Sequence, residues 1–324
     1  MVMHVSQLMQ LISGSIYSAI VCATAELEVA EALADGPCTL DELAARCSAD
    51  REALGRLMRA LAALGLVSEA EGRYATTDGL GWLRGSADGS LRALALLGGQ
   101  PAMQGAWRHC AEAVRTGRTA FELANGRPLF DYLDDHEALR STFQRSLSGP
   151  EAWNQAIADA LDLAGRTLVV DVGAGDGRLL AALVRAWPGL RGIAFDRPSV
   201  VAAAGRDPSL EWVGGDFFAG VPAGGDVYLL RWVLHDWTDD QAVAILAHCR
   251  AAMRAGGVVL LVERLLAEPS DGSAALLDLT MLVLTGGRER TEAEYAALLA
   301  RAGLRLSRAL PTSAGLRILE ATAA

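Results

Sequence analysis

The apolar positions change their period near the middle of the 324-residue chain. In the first half they recur at helical spacing. From about Val5 to Ala34, Leu8, Leu11, Ile12, Ile16, Ala19, Ile20, Leu27, Val29, Ala30 and Leu33 predict a helical region. Asp35-Gly36-Pro37 ends it. Thr39 followed by Glu42 is a capping-box signature, and a second cap between Ser48 and Asp50 starts a helix through Leu54, Leu57, Met58, Leu61 and Leu64 that Gly65 closes. Leu66-Val67 and Arg73-Tyr74-Ala75, separated by Glu69 to Gly72, then form a short hairpin. Helix, turn, helix and hairpin predict a winged-helix unit. Helical segments carrying Trp107, Phe121, Phe130, Tyr132 and Phe143 continue to Ser148, and Gly149-Pro150 reads as a break.

Beyond the break, short apolar runs alternate with helical segments, which predicts an α/β domain with a mostly parallel sheet. A helix around Trp153 to Leu161 leads to strands at Leu168 to Asp171, Arg191 to Phe195, Leu210 to Val213, Val227 to Trp232 and Val258 to Val262. Helices follow at about 274–284 and 291–302, then a final hairpin, Leu304 to Leu310 with Gly315 to Ala321. The reading divides the chain into a winged-helix dimerisation domain (1–100), a helical connector contributing to a substrate pocket (101–150) and a catalytic domain (151–324).

Charge narrows the function of the front domain. Residues 1–90 carry six arginines against twelve Asp and Glu, a net of 6 − 12 = −6, whereas a reader of the phosphate backbone needs the opposite sign. We therefore expect a dimerisation platform and no nucleic-acid partner. The whole chain has a formal charge of −10 and no lysine, which excludes a lysine Schiff base. Its 52% hydrophobic content is enough for sizeable cores. No window approaches the roughly 18 uninterrupted apolar residues of a membrane span, so a cytoplasmic protein without a membrane partner is expected. The five cysteines (22, 38, 47, 110 and 249) are scattered and form no C-x-x-C pair, so neither disulfides nor a metal site is expected.

The chemistry centres on Leu168-Val169-Val170-Asp171-Val172-Gly173-Ala174-Gly175-Asp176-Gly177, a strand ending in an acid and a glycine turn before a helix. Glycines let a ligand lie on the backbone beside a helix N-terminus. A dinucleotide fingerprint needs its third glycine where Arg178 stands. The G-x-G-x-G spacing found instead resembles the first motif of S-adenosylmethionine-dependent methyltransferases. Asp196, 23 residues after Gly173, is placed to accept hydrogen bonds from a ribose. Asp216 and Phe217 offer an acceptor for an adenine amino group and an apolar face for the ring, and Arg231-Trp232 bounds the far side.

LVVDVGAGDG, FDRPSVV, GGDFF, LLRWVLHDWTDD, AGGVVLLVER and DLTMLVLTGGRERTEAEY, with the winged-helix front, resemble the plant caffeate-type and bacterial antibiotic-pathway O-methyltransferases over essentially the whole chain. The resemblance implies a Rossmann-like class I methyltransferase domain with a seven-stranded sheet, S-adenosyl-L-methionine as cofactor and a homodimer. It carries the donor contacts onto Asp171, Gly173, Gly175, Asp196, Asp216, Phe217, Arg231 and Trp232. The general base falls on His235, flanked by Glu263 and Glu289, with Asp236, Met281 and Phe143 as candidates for contact with the acceptor. Arg197 stands where relatives more often have leucine, and Arg231 where plant relatives have lysine.

Elementary chemistry supports His235 independently. A phenol of pKa near 10 is only about one part in a thousand ionised at neutral pH, yet the phenolate is the nucleophile that a sulfonium methyl group requires. A nearby imidazole takes that proton, and Glu263 or Glu289 is available to orient its other nitrogen. The expected activity is O-methylation of a small, hydroxylated, aromatic or polyketide-type metabolite. N- or C-methylation or a non-methylating reaction on the same fold, and an acidic winged-helix regulator that binds the cofactor, are the alternatives.

Overall fold

The computed structural model describes residues 4–203, 207–266 and 272–324. The chain divides into two compact units, one formed by Met1–Gln104 with Ala138–Pro150, the other by Gly105–Glu137 with Glu151–Ala324. The stretch 101–150, read from the sequence as one connector, is thus shared between them.

In the first unit, Thr39 and Glu42 close a reciprocal cap on the helix Leu40–Arg46, and Asp50 caps Arg51–Ala63 by accepting from the Ala53 N–H at 2.8 Å. Leu43, Leu54, Met58 and Leu61 point from these helices into a core shared with Val29 and Leu33. The hairpin expected after them is β2 (Val67–Ala70) and β3 (Arg73–Thr76), joined by β1 (Cys38–Thr39) into an antiparallel sheet ordered β1-β3-β2. With only two residues, β1 is too short to carry a period, and the sequence pattern does not predict it. The helices Val5–Ile12 and Gly14–Glu26 leave an apolar face in the open: Val5 is 77%, Ile12 73% and Leu11 66% exposed. No single helix among the described residues is long and apolar enough to cross a membrane. This pair reaches that length only together, across a 49° bend.

The second unit is built on a seven-stranded sheet of β4 (Leu168–Val172), β5 (Arg191–Asp196), β6 (Leu210–Gly214), β7 (Val227–Arg231), β8 (Val258–Glu263), β9 (Leu304–Pro311) and β10 (Arg317–Ala323). Their order is β6-β5-β4-β7-β8-β10-β9, parallel from β6 to β8, with β10 antiparallel to both its neighbours. Both faces are covered, so the strands read as continuous apolar runs that split by alternation. Val170, Val172, Val259 and Leu261 enter one core, and Val169, Val258, Leu260 and Val262 the other. A short helix, Pro198–Ala203, follows β5. The order β5-β4-β7 brings the carboxyl ends of three neighbouring parallel strands together, which is where open α/β sheets bind ligands.

Candidate active site

The turn after β4 has Gly173, Gly175 and Gly177 at φ of +79°, +58° and +73°, which glycine adopts without steric cost. Gly173 has a second reason to lack a side chain, since a Cβ there would stand 2.7 Å from the Val233 methyl group. At Gly175 a Cβ would meet nothing within 4 Å, so the turn opens onto free space. Asp196, at the end of β5, accepts from the backbone N–H of Gly175 at 2.8 Å and of Arg197 at 2.7 Å. Its carboxyl is nevertheless raised above its ordinary pKa, because burial outweighs these bonds.

Asp171, Arg231 and Asn154 form a buried polar group beneath this turn. Burial pushes the Asp171 carboxyl up to about 7, opposed by the Arg231 charge and reinforced by Asp196 and Asp176. Burial lowers the Arg231 pKa in turn, and its Nη1 donates to Asn154 Oδ1 at 2.7 Å. Arg231 Nε and Nη2 and Trp232 Nε1 are buried donors with no partner among the described residues. A buried charge with two unsatisfied N–H groups is costly unless an anion completes it. The Arg231 guanidinium lies 4.7 Å from the Trp232 ring centroid, and Trp232 has φ of +53°, a rare and strained backbone conformation for a bulky residue.

His235 sits on a single 3-10 turn, Leu234–Asp236, just past β7. Its Nδ1 is 2.7 Å from Glu289 Oε1, and both residues are buried. Glu263, fully buried at the end of β8, stands 3.9 Å from the same nitrogen and accepts the Leu234 N–H at 3.2 Å. Of the two acids left open by the sequence, Glu289 therefore makes the direct bond and Glu263 holds the backbone. Nε2 is left facing Asp236 Oδ1 at 3.9 Å. Burial alone would lower the His235 pKa, but Asp236, Glu263 and Glu289 outweigh it and push it up to about 10. Burial raises Asp236 to about 6 and Glu263 to about 8, the imidazole opposing in both.

Two further residues shape this turn. Arg290 is fully buried, and its five N–H groups are all used. They reach Leu234 O (2.9 Å), Trp237 O (2.7 Å), Arg288 O (3.3 Å) and Asp239 Oδ1 (2.9 and 3.1 Å), so the guanidinium grips the main chain on both sides of His235. Gly287 approaches so closely that a Cβ would lie 2.0 Å from His235 O. Neither was singled out by sequence, although both lie in the GGRERT run. Asn154 left a legible signal, a polar residue in line with Ile157, Ala158 and Leu161 on an otherwise apolar helix face.

Asp216 is exposed and accepts the Phe218 N–H at 2.8 Å. Phe217 lies edge-on to Phe218 and Trp237, with centroids 4.9 and 5.6 Å away. Met281 is buried on the helix Gly272–Leu284, one turn before Thr285, whose hydroxyl hydrogen-bonds Asp236. Phe143 belongs to the first unit, on the helix Glu137–Leu147. The five cysteines are free, and no cluster with metal-binding composition occurs among the described residues.

A parallel sheet with this strand order, a reversed penultimate strand and a glycine turn lacking the dinucleotide spacing is the architecture of S-adenosylmethionine-dependent methyltransferases. Residues 107–305 match the O-methyltransferase domain and residues 9–82 the O-methyltransferase dimerisation domain, and the chain belongs to this O-methyltransferase family. It is 40% identical to the phenazine O-methyltransferase PhzM of Lysobacter antibioticus, over 98% of this chain and 95% of that one. The crystal structure of LaPhzM superposes with a TM-score of 0.94 at 39% identity, covering 98% of this chain and 99% of that one. The O-methyltransferase NcsB1 of neocarzinostatin biosynthesis, in complex with S-adenosylmethionine and 2-hydroxy-5-methyl naphthoic acid, gives 0.80 at 34% identity, over 95% and 96%. The cofactor is S-adenosyl-L-methionine. The residues present suit it: an open glycine turn for the backbone approach, a carboxylate at the end of β5, and the unsatisfied donors of Arg231 for an anionic group.

Proposed function

We propose that this enzyme methylates a phenolic hydroxyl of a small aromatic secondary metabolite, with His235 as the general base. The buried 2.7 Å bond between His235 Nδ1 and Glu289 carries the reading, because it commits one ring nitrogen to a carboxylate and leaves Nε2 for the acceptor. Asp196 and Asp216 would hold the donor's hydroxyl and amino groups, Phe217 its ring, and Arg231 its carboxylate, beside Asp171, Gly173, Gly175 and Trp232. Bound there, the donor supplies a sulfonium methyl group, an electrophile that needs no metal. Asp236 lies next to the base and would meet the acceptor, with Met281 and Phe143 the remaining candidates for that role. As the oxygen–carbon bond formed and the donor's carbon–sulfur bond broke to leave S-adenosylhomocysteine, the hydroxyl proton would pass to Nε2, and Glu289 and Glu263 would stabilise the imidazolium. Proximity of the acceptor supplies the remainder of the rate.

A phenazine-methylating relative and a neighbour holding a hydroxynaphthoic acid support an aromatic acceptor and an antibiotic-type pathway. The cytoplasm is the place of work in this reading. Labelled donor offered with hydroxylated phenazines, naphthoates and flavonoids is expected to yield labelled methyl ethers. Label found only on amines would move the reading to N-methylation. For the donor site, Asp196→Ala is expected to weaken S-adenosylhomocysteine binding by about 1.5–3 kcal/mol in calorimetry, the value of charge-assisted hydrogen bonds. Binding equal to wild type would remove Asp196 from the site.

The assembly we propose is a homodimer through the first unit. It is supported by the match to the dimerisation domain and by the exposed apolar side chains of Val5, Leu8, Met9, Leu11, Ile12 and Ile16, more than a folded monomer leaves in water. Light scattering is expected to return twice the chain mass, and a fully active monomer at micromolar concentration would refute it.

A further inference from the structure

Arg197 follows the β5 acid directly, yet its side chain turns toward the helix Leu129–Asp135. The guanidinium is bonded to Asp131 at 2.9 Å and to Asp134, and Ser199 donates to the other oxygen of Asp134. Burial alone would lower the Arg197 pKa, but the two carboxylates outweigh it and raise it. The same helix carries Phe130, which stacks on Trp237 with centroids 5.6 Å apart and planes at 26°. Arg197 and Ser199 follow β5 and Trp237 follows β7, the two strands on either side of β4. The helix thus bridges the segments that follow the two strands flanking β4, the strand that runs into the glycine turn Gly173–Gly177. All these residues belong to one compact unit.

We infer that Leu129–Asp135 is a roof over the methyl donor and that Arg197 is its latch, a positioning residue that sets donor affinity without touching the reacting atoms. The inference rests on placing the donor at the glycine turn. Without the latch the roof loses both of its ion pairs and keeps the Ser199 hydrogen bond at Asp134, so the donor must order it further on binding and binds more weakly. Ion pairs this exposed are individually weak, but an arginine shared by two carboxylates on one helix is the arrangement in which they add up.

The test is calorimetry of S-adenosylhomocysteine on the full chain, with Arg197→Leu, Asp134→Asn, the double variant and Arg197→Lys, beside steady-state kinetics. Arg197→Leu is expected to raise Kd and the donor KM by roughly three- to tenfold, leaving kcat at saturating donor and the acceptor KM unchanged. The double variant should exceed Arg197→Leu by no more than the Ser199 bond, since Arg197→Leu already removes the pair with Asp134, and Arg197→Lys should fall between that variant and wild type. The loss should shrink with added salt, which screens the pairs. A Kd equal to wild type, effects that simply add, or equal rises in both KM values with a fall in kcat would each overturn the latch. Asp196→Ala separates the two assumptions: if it leaves donor binding untouched, the donor lies elsewhere and the inference falls with that placement. If it weakens binding while Arg197→Leu does not, the latch alone is wrong.

Discussion

His235→Ala is expected to lower kcat by about 10²–10⁴ on an acceptor whose hydroxyl stays protonated at the assay pH, and to cost little on one that is already ionised. An ionised acceptor has no proton to give, so the base has no task. The pH profile follows from the surrounding acids. Burial works against the imidazolium, but Asp236, Glu263 and Glu289 hold the His235 pKa up to about 10. Only the unprotonated ring accepts a proton, so activity on a weakly acidic phenol should climb with pH toward that value rather than level off near 6.5. The raised value also brings the base close to the phenol's own pKa near 10, which makes the transfer nearly thermoneutral. Glu289→Gln removes the carboxylate 2.7 Å from Nδ1, so the rising limb should move to lower pH while the maximum falls. Glu263→Gln should act in the same direction but more weakly, from 3.9 Å. The measurement is kcat and kcat/KM against pH for substituted phenols of falling pKa. A deficit of equal size for acidic and weakly acidic acceptors would mean that His235 positions the substrate and does not deprotonate it.

The second large effect is expected at Arg290, outside the reacting groups. Arg290→Met leaves the Leu234 and Trp237 carbonyls without their buried donor and takes from Asp239, which keeps Arg288, one of its two guanidinium partners. Removing one partner from such a network costs about 3–5 kcal/mol, which for a domain of this size lowers Tm by about 10 °C. Because the two carbonyls flank His235, kcat should fall further than stability alone explains, with the donor KM near wild type. Gly287→Ala is expected to act at the same turn, since its methyl group would be forced against His235 O. Thermal melts and kinetics well below the transition separate stability from alignment. An Arg290→Met variant that melts with wild type and keeps its kcat would show that the turn holds its shape without the clamp.

The periodic elements were legible because one physical cause produces both pattern and structure. Burial of one helix face or both sheet faces dictates which residues are apolar, and that dictation is written at fixed spacing in the strand Leu168–Val172 and in the helix Arg178–Ala186. Glycine spacing after β4 was legible for a similar reason, since positive φ at three alternating positions leaves few other residues. Strand-end acids were also within reach, because chain order nearly fixes where the ends of a parallel sheet lie. Thus Asp171, Asp196, Arg231, His235 and Glu263 could be named as a group from the sequence.

What the sequence could not decide were contacts between side chains far apart in the chain. Glu263 and Glu289 looked equivalent until the packing of the GGRERT run on the turn after β7 put one at 3.9 Å and the other at 2.7 Å. The burial of Arg290 and the missing room beside Gly287 belong to that same packing and have no period to betray them. Arg197 stood out only as a departure from the usual leucine, and its partners Asp131 and Asp134, more than 60 residues earlier, came from the fold. The division of the 101–150 stretch between two units is likewise a tertiary outcome. Sequence alone determined the periodic elements and the glycine turn and named candidate groups for the chemistry, because local periodicity and backbone sterics act over a few residues. The pairing of those groups, and hence which acid bonds the histidine and which helix holds Arg197, was decided by the tertiary structure, because it depends on distances of a few tenths of an ångström between segments that only packing brings together.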